Sequence, residues 1–206
     1  MCGRYFIDDG TDPRQMRAIA AALNRRAGAE EVKTTGEVRP SDQAAVIANS
    51  RGMVPSVFAM RWGYRLPDGR RIINARSESA GEKPLFQDGW RHRRCAIPAS
   101  GYFEWFRHGG KRLTPYAIRP AGEGLVYLAG LYRLEGGEAE FTVLTRQSAP
   151  EIAFIHDRMP VLLSREQVGE WLNPDGVPEN LLAGAMTEVR YVRANPEAPE
   201  QLMMEL

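Results

Sequence analysis

Short apolar runs, each closed by Gly, Pro or Asp, recur along most of this chain, and they constrain its fold more than any other feature. Ala44 to Ala48, Val57 to Trp62, Ile72 to Asn74 and Cys95 to Pro98 are too short for helices and are bounded by turn-forming residues, so they read as strands. Two hairpins are expected as well. Tyr116 to Ile118 follows the turn signal Gly109-Gly110, and Val126 to Leu134 meets Phe141 to Thr145 across Gly136-Gly137. Helical periodicity is confined to three places. Pro13 opens an amphipathic run carrying Met16, Ile19, Ala20 and Leu23 that should end near Gly28. Ser164 and Gln167 have capping-box spacing ahead of Val168, Trp171 and Leu172, and residues Pro178 to Met186 form a short third helix. The fold expected is α+β, a mainly antiparallel, curved, barrel-like β-sheet core with flanking helices, in one domain over residues 1–206.

Several function classes are excluded at this stage. A 43% hydrophobic and 26% charged chain of 206 residues can bury a full core, so it is neither disordered nor fibrous. Charged residues from Arg4 to Arg17 interrupt any secretory apolar stretch, and no later segment is long enough to span a membrane. Cys2 and Cys95 make neither a disulfide framework nor, without clustered His, a zinc site, so no metal or cofactor is expected and the compartment should be reducing, a cytoplasmic one. The net charge of +1 hides a segregation: residues 61–119 carry +8 and the remainder −7. All but Lys33, Lys83 and Lys111 of the 27 basic residues are Arg, whose planar fork suits phosphate. The basic middle is therefore the part expected to meet an anion.

Chemistry is expected to begin at Cys2. A small second residue is the setting in which Met1 is removed, and removal would leave an amine and a thiol on one residue. Such a residue condenses with an aldehyde to an imine, which the thiol closes to a five-membered thiazolidine. With an α-amine near about 8 and a thiol near about 8.5, both nucleophilic forms are partly present at neutral pH. A second-position Cys is also commonly incidental. Glu104 sits among aromatic neighbours in Tyr102-Phe103-Glu104-Trp105, a setting that desolvates a carboxylate for proton transfer, or else it is a strand residue facing solvent. His156, ahead of Asp157 and Arg158, is either oriented for proton transfer or simply a satisfied, half-buried histidine. Asn74 either positions a carbonyl or hydroxyl or ends a strand.

Taken together, Met1-Cys2-Gly3-Arg4, Trp62-Gly63, Ile73-Asn74-Ala75-Arg76, Tyr102 to Trp105, Leu128-Ala129-Gly130-Leu131 and His156 to Pro160 resemble the SRAP family, the SOS response-associated peptidase domain proteins. The resemblance runs from Cys2 to about Trp171. It implies a monomeric protein that binds single-stranded DNA and traps abasic sites covalently through Cys2, on damaged DNA in the cytoplasm. Asn74 would hold the N-terminal residue and the sugar, Glu104 would shuttle protons, and His156 would assist sugar opening and imine formation. Arg4, Arg76 and Arg158 would grip phosphates, with Thr145 at the matching strand end and Pro40 and Trp105 near the DNA path. This chain departs from the pattern after Trp62-Gly63, where relatives carry further Pro and Trp and this one reads Tyr64 to Arg70, and at Arg39, where a small residue is common. The family's older label offers a second reading, a thiol peptidase using Cys2, Glu104 and His156 to remove its own first residue. A third is a non-catalytic single-strand-binding module built on Arg and aromatic side chains.

Overall fold

A computed structural model describes residues 2–8, 10–24, 32–109, 113–122 and 124–194. The chain opens with β1 (Arg4–Ile7), α1 (Pro13–Asn24), β2 (Gly36–Val38), β3 (Gln43–Asn49) and β4 (Pro55–Trp62). An excursion through β5 (Tyr64–Arg65) and β6 (Arg71–Ile72) leads to β7 (Asn74–Arg76), α2 (Ser77–Ala80) and α3 (Pro84–His92). Next come the long strands β8 (Arg94–Ala99), β9 (Gly101–Arg107), β10 (Leu113–Pro120), β11 (Val126–Glu135) and β12 (Glu138–Gln147). A 3-10 turn (Pro150–Ile152), β13 (Arg158–Pro160), β14 (Leu162–Leu163), α4 (Arg165–Leu172), α5 (Pro178–Ala183) and β15 (Val189–Arg193) complete it.

Five strands close on themselves in the order β12-β4-β3-β8-β11 and back to β12, which leaves the barrel no open edge. The β4–β12 junction is the parallel one, with Arg61 opposite Glu140 and Trp62 opposite Phe141. A second sheet, ordered β15-β10-β9-β1-β2, is antiparallel throughout. Tyr5, Ile7, Tyr102 and Ile118 from this sheet share one buried core with Val46, Trp62, Ile97, Leu128, Phe141 and Val143 of the barrel, and α1 adds Met16, Ile19 and Leu23. On another side α3 and α4 bury Phe86, Trp90 and Trp171 with Leu131 and Leu163. The fold is thus the α+β arrangement expected, with two large sheets and the two-stranded β5-β6 ribbon instead of one sheet.

Local expectations were met where the signal was local. The helix at Ser164 has both halves of its capping box, and β11 and β12 form the expected hairpin with Glu135 opposite Glu138. The first helix runs to Asn24, and its expected end near Gly28 lies outside the described residues. The third expected helix stops at Ala183, short of Met186. Ile72 to Asn74 is not one strand, because Ile73 lies between β6 and β7 with its carbonyl accepting from Val143 N–H (3.0 Å) and Trp62 Nε1 (3.0 Å).

Gly63 makes that departure feasible. Its φ of +105° is open to glycine at low cost, and it turns the chain away from β12 just after its N–H has bonded Phe141 O (2.8 Å). Glu140 anchors the excursion from within: its Oε2 accepts from Arg65 N–H (3.0 Å) and Arg133 Nη2 (2.9 Å), and its Oε1 from Arg71 Nη1 (3.1 Å). Burial by itself would raise this carboxyl's pKa, but Arg65 N–H, Arg133 and Arg71 together hold it below the usual range. Glu140→Gln keeps the shape and strips the counter-charge from two arginines, which should cost about 3 kcal/mol. The urea midpoint should fall with the slope unchanged. Because the folded pKa is depressed, this stability exists above the unfolded value of about 4.3 and is lost as pH falls through the folded one, so wild type and variant should converge in acid.

Candidate active site

Cys2 lies just ahead of β1, where the second sheet meets the barrel. Its side chain has no solvent exposure, its carbonyl accepts from Asn74 Nδ2 (2.8 Å), and its Sγ points at Arg4 O (3.6 Å). Asn74 therefore does position a carbonyl, and that carbonyl belongs to the second residue of the chain. Burial, and after it the negative charge of Glu104, push the Cys2 thiol far above its ordinary value. The expectation that some thiolate is present at neutral pH is thereby corrected: the resting group is the neutral thiol.

Glu104 reaches this place because strand geometry alternates. In β9, Tyr102 and Glu104 face the core while Phe103 and Trp105 face away, and Glu104 is only 4% exposed, so the solvent-facing alternative fails. Tyr5 stands directly opposite Tyr102, and Tyr116 directly opposite Glu104. The hydroxyls of Tyr5 and Tyr102 are buried with no hydrogen-bond partner among the described residues. Burial first, and the proximity of Cys2 second, raise both phenol pKa values. Their position one alternation step from Glu104 and across the strand pair is the sequence signal that would have marked them.

The barrel supplies the facing wall. β7 pairs in parallel with β12 beyond the point where β4 leaves it, setting Asn74 opposite Val143 and Arg76 opposite Thr145. Thr145 is fully buried and its hydroxyl donates to Ala75 O (3.3 Å). β13 lies along the other edge of β12, so Arg158 stands opposite Gln147. His156 is set by its own loop: Nδ1 accepts from Arg158 N–H (3.0 Å) and lies 2.8 Å from Asp157 Oδ1. Both contacts fall on one nitrogen. The first needs Nδ1 unprotonated, with the proton of a neutral ring on Nε2; the second becomes a hydrogen bond when Nδ1 carries a proton, in either the other tautomer or the charged ring.

The arginines are less available than their number implies. Arg158 gives Nη1 and Nη2 to the two oxygens of Glu78 (2.7 Å each) and Nη2 also to Thr145 O (2.6 Å), and this pairing lowers the Glu78 pKa. Arg4 lies over the Trp105 ring (5.0 Å) and against Glu37 (3.1 Å), which also holds Arg39 (2.9 Å). Pro40 follows in a tight turn closed by Asp42, whose Oδ2 accepts from Arg39 N–H (2.8 Å). Within the basic middle, Arg71, Arg93 and Arg119 pair with Glu140, Asp88 and Asp8, and Arg94 bonds backbone carbonyls. About half of the segregated charge is thus spent on structure, while Arg65, Arg76, Lys83, Arg91 and Arg107 remain exposed. Among the described residues no three His, Cys, Asp or Glu cluster as a metal site, and no helix is long and apolar enough to cross a membrane.

The profile of the SOS response associated peptidase family (SRAP) matches residues 1–196. This chain belongs to the SRAP family. Abasic site processing protein YobE of Bacillus subtilis is 36% identical over 156 residues, covering 70% of this chain and 71% of its own. Abasic site processing protein YoqW of the same organism is 35% identical over 198 residues, covering 88% and 84%. Among solved structures, a Bacteroides thetaiotaomicron protein superposes with a TM-score of 0.72 at 21% identity over 97% of this chain and 94% of its own. A phage-related protein of Bordetella bronchiseptica does so with 0.71 at 20% over 94% of each, and these two likenesses establish the fold alone.

In this SRAP chain Asn74 and Glu104 adjoin Cys2, with Thr145 on β12, Arg158 on β13 and His156 in the loop before it, while Arg4 lies over Trp105 and Pro40 sits in the turn after β2. The coupling of Glu104 to Cys2 has a measurable sign. Removing the negative charge lowers the thiol pKa, so Glu104→Gln should increase iodoacetamide labelling of the Cys2 peptide between pH 7 and 10. Peptide mass mapping follows Cys2 apart from Cys95, and equal labelling rates in the two proteins would show that the charge does not reach the sulfur.

Proposed function

We propose that this protein traps abasic sites in single-stranded DNA as a covalent thiazolidine formed by Cys2. The observation that carries the reading is the hydrogen bond from Asn74 to the Cys2 carbonyl, which fixes the second residue of the chain inside a polar, water-poor site. The names of the curated relatives, abasic site processing proteins, supply the substrate class. Met1 must leave first, because an amide nitrogen cannot form an imine. The freed amine attacks the aldehyde carbon of the ring-opened deoxyribose, and loss of one water gives the imine. The thiol then adds across the C=N bond, its proton passing to nitrogen, and the ring closes.

Division of labour follows from the site. A neutral, buried thiol is a poor first nucleophile, so the amine acts first and the sulfur second. Glu104, beside the thiol, takes the proton that each nucleophile must shed. His156, with its Nε2–H in the neutral form, donates toward the sugar oxygen during ring opening. Arg4, Arg76 and Arg158 hold phosphates, with Thr145 fixing Arg158 and with Pro40 and Trp105 along the strand's path. A general thiol peptidase is the weaker reading, since such an enzyme needs a thiolate on an accessible residue and Cys2 offers neither. Removal of Met1 by the protein itself fits the same group of residues.

Intact mass of the Met1-free protein after incubation with an abasic oligonucleotide should show a one-to-one, heat-stable adduct lacking one water. Cys2→Ser should lose the ring-closed product while imine formation remains open to it. Equal heat-stable crosslinking by Cys2→Ala would end the proposal. Arg76→Ala should weaken intact and abasic single strands alike and reduce the dependence of log K on log salt by about 0.7, the value for one phosphate contact on a single strand.

A further inference from the structure

Next to the site lies an aromatic cluster to which the reaction assigns no part. Phe106 sits two residues beyond Glu104 on the same face of β9, Tyr116 stands directly opposite Glu104 in β10, and Phe154 precedes His156 by two residues. Tyr191 joins them from β15. The Phe154 ring centre lies 6.0 Å from Phe106, 5.8 Å from Tyr116 and 5.3 Å from Tyr191, and Tyr116 is 5.8 Å from Tyr191. A cluster serving only as core would be covered, yet Phe154 is 48% and Tyr191 40% exposed. The other large exposed apolar side chains, among the described residues, take no part in such ring contacts.

Charge at the margin of the cluster narrows its ligand. Arg193 stands directly opposite Tyr116 in β15, on the same face of the sheet, and is exposed. Exposed rings bordered by a guanidinium group match a flat, uncharged π-system carried on a polyanion. A protein or lipid partner would call for a wider apolar surface than two half-exposed rings.

We infer that Phe154 and Tyr191 form a stacking platform for a base of the single-stranded DNA next to the trapped site, with Arg193 meeting its phosphate. This rests on single-stranded DNA being the substrate. The platform adjoins the site, because Phe154 shares its loop with His156 and packs on Phe106 of the strand that carries Glu104, while Tyr191 meets it from β15. Stacking on a ring is tolerant of base identity, which suits a protein that must meet a lesion in any sequence.

Leucine at either position keeps apolar cover over Phe106 and Tyr116 but removes the π-face. Phe154→Leu and Tyr191→Leu should each weaken binding of a lesion-free single-stranded oligonucleotide roughly ten-fold. The salt slope should stay at the wild-type value, and so should the thermal midpoint. Phe154→Tyr should restore affinity. A 2-aminopurine walked along the strand should change its fluorescence at one or two positions with wild type and at none with the double leucine variant. At saturating abasic DNA the variants should crosslink at the wild-type rate. Wild-type affinity in both leucine variants would overturn the platform and leave the cluster as cover. Tight single-strand binding without any adduct in the wild type would instead sink the crosslinking reaction and leave the platform standing, whereas failure of the wild type to bind single strands would remove both.

Discussion

Everything in this molecule depends on how strand β12 satisfies its two edges. A central barrel strand cannot leave buried N–H and C=O groups unpaired, and β12 runs ten residues, from Glu138 to Gln147, longer than any one neighbour on its parallel side. β4 covers its first part and ends at Trp62; β7 covers the rest from Asn74. The chain must therefore leave the barrel at Gly63 and return to the same edge, with Ile73 bonding Val143 at the point of return. That return delivers Asn74, and with it the donor that holds Cys2. On the opposite edge β13 brings Arg158 beside Thr145. The site is the place where one strand has run out of its first partner and taken up its second.

Burial then bears on the order of events in the proposed reaction. Water around a thiol and a carboxylate would leave each near its ordinary acidity, but a dry pocket containing both makes two negative charges costly, so the sulfur keeps its proton. The amine of a processed Cys2 carries no such penalty in its neutral, nucleophilic form. On the proposed reaction, such a site would be slow towards adventitious electrophiles at sulfur and fast only once an aldehyde has been captured on nitrogen. Tyr5 and Tyr102 stand near Cys2 with buried hydroxyls that have no partner among the described residues.

Much of this was legible in the sequence, for reasons that differ by residue. Ser164 with Gln167, and Gly136 with Gly137, are local signals whose physics is complete within a few residues, and the structure follows them. Cys2, Asn74 and Glu104 stood out by chemistry and by family pattern. What escaped was non-local. The helix at Pro84 had its signal, a proline at the first position with Phe86, Gly89 and Trp90 on one face, but a glycine in a short stripe lowers the apolar contrast. Strand β15 is half-exposed along its length and alternates weakly. Parallel pairing of Trp62 and Asn74 with one distant strand leaves no mark in either segment. The arginine count misled for a related reason: a sequence shows the charge of Arg71 or Arg119 but not the Glu140 or Asp8 that folding brings to it.

Those pairings bear on how a phosphate strand would be received. Arg158 is nearly buried, with its fork filled by Glu78, and its Nε has no partner among the described residues; Glu78 itself is 53% exposed. Of the two, the carboxylate is the one that water can accept at small cost, while Thr145 O keeps the guanidinium in place. A phosphate arriving there would exchange one anion for another instead of neutralising a free cation. Arg4, already shared between Glu37 and the face of Trp105, presents the same situation. An exchange of this type gains less Coulomb energy than binding to bare arginines, because the ion pair in the free protein must be given up. What it gains is geometry: each guanidinium is oriented before DNA arrives, so little side-chain entropy is lost on binding. On the reaction proposed above, affinity for undamaged strands would thereby be held down while the position of the backbone relative to Cys2 stays fixed, and a covalent trap would need the second and not the first.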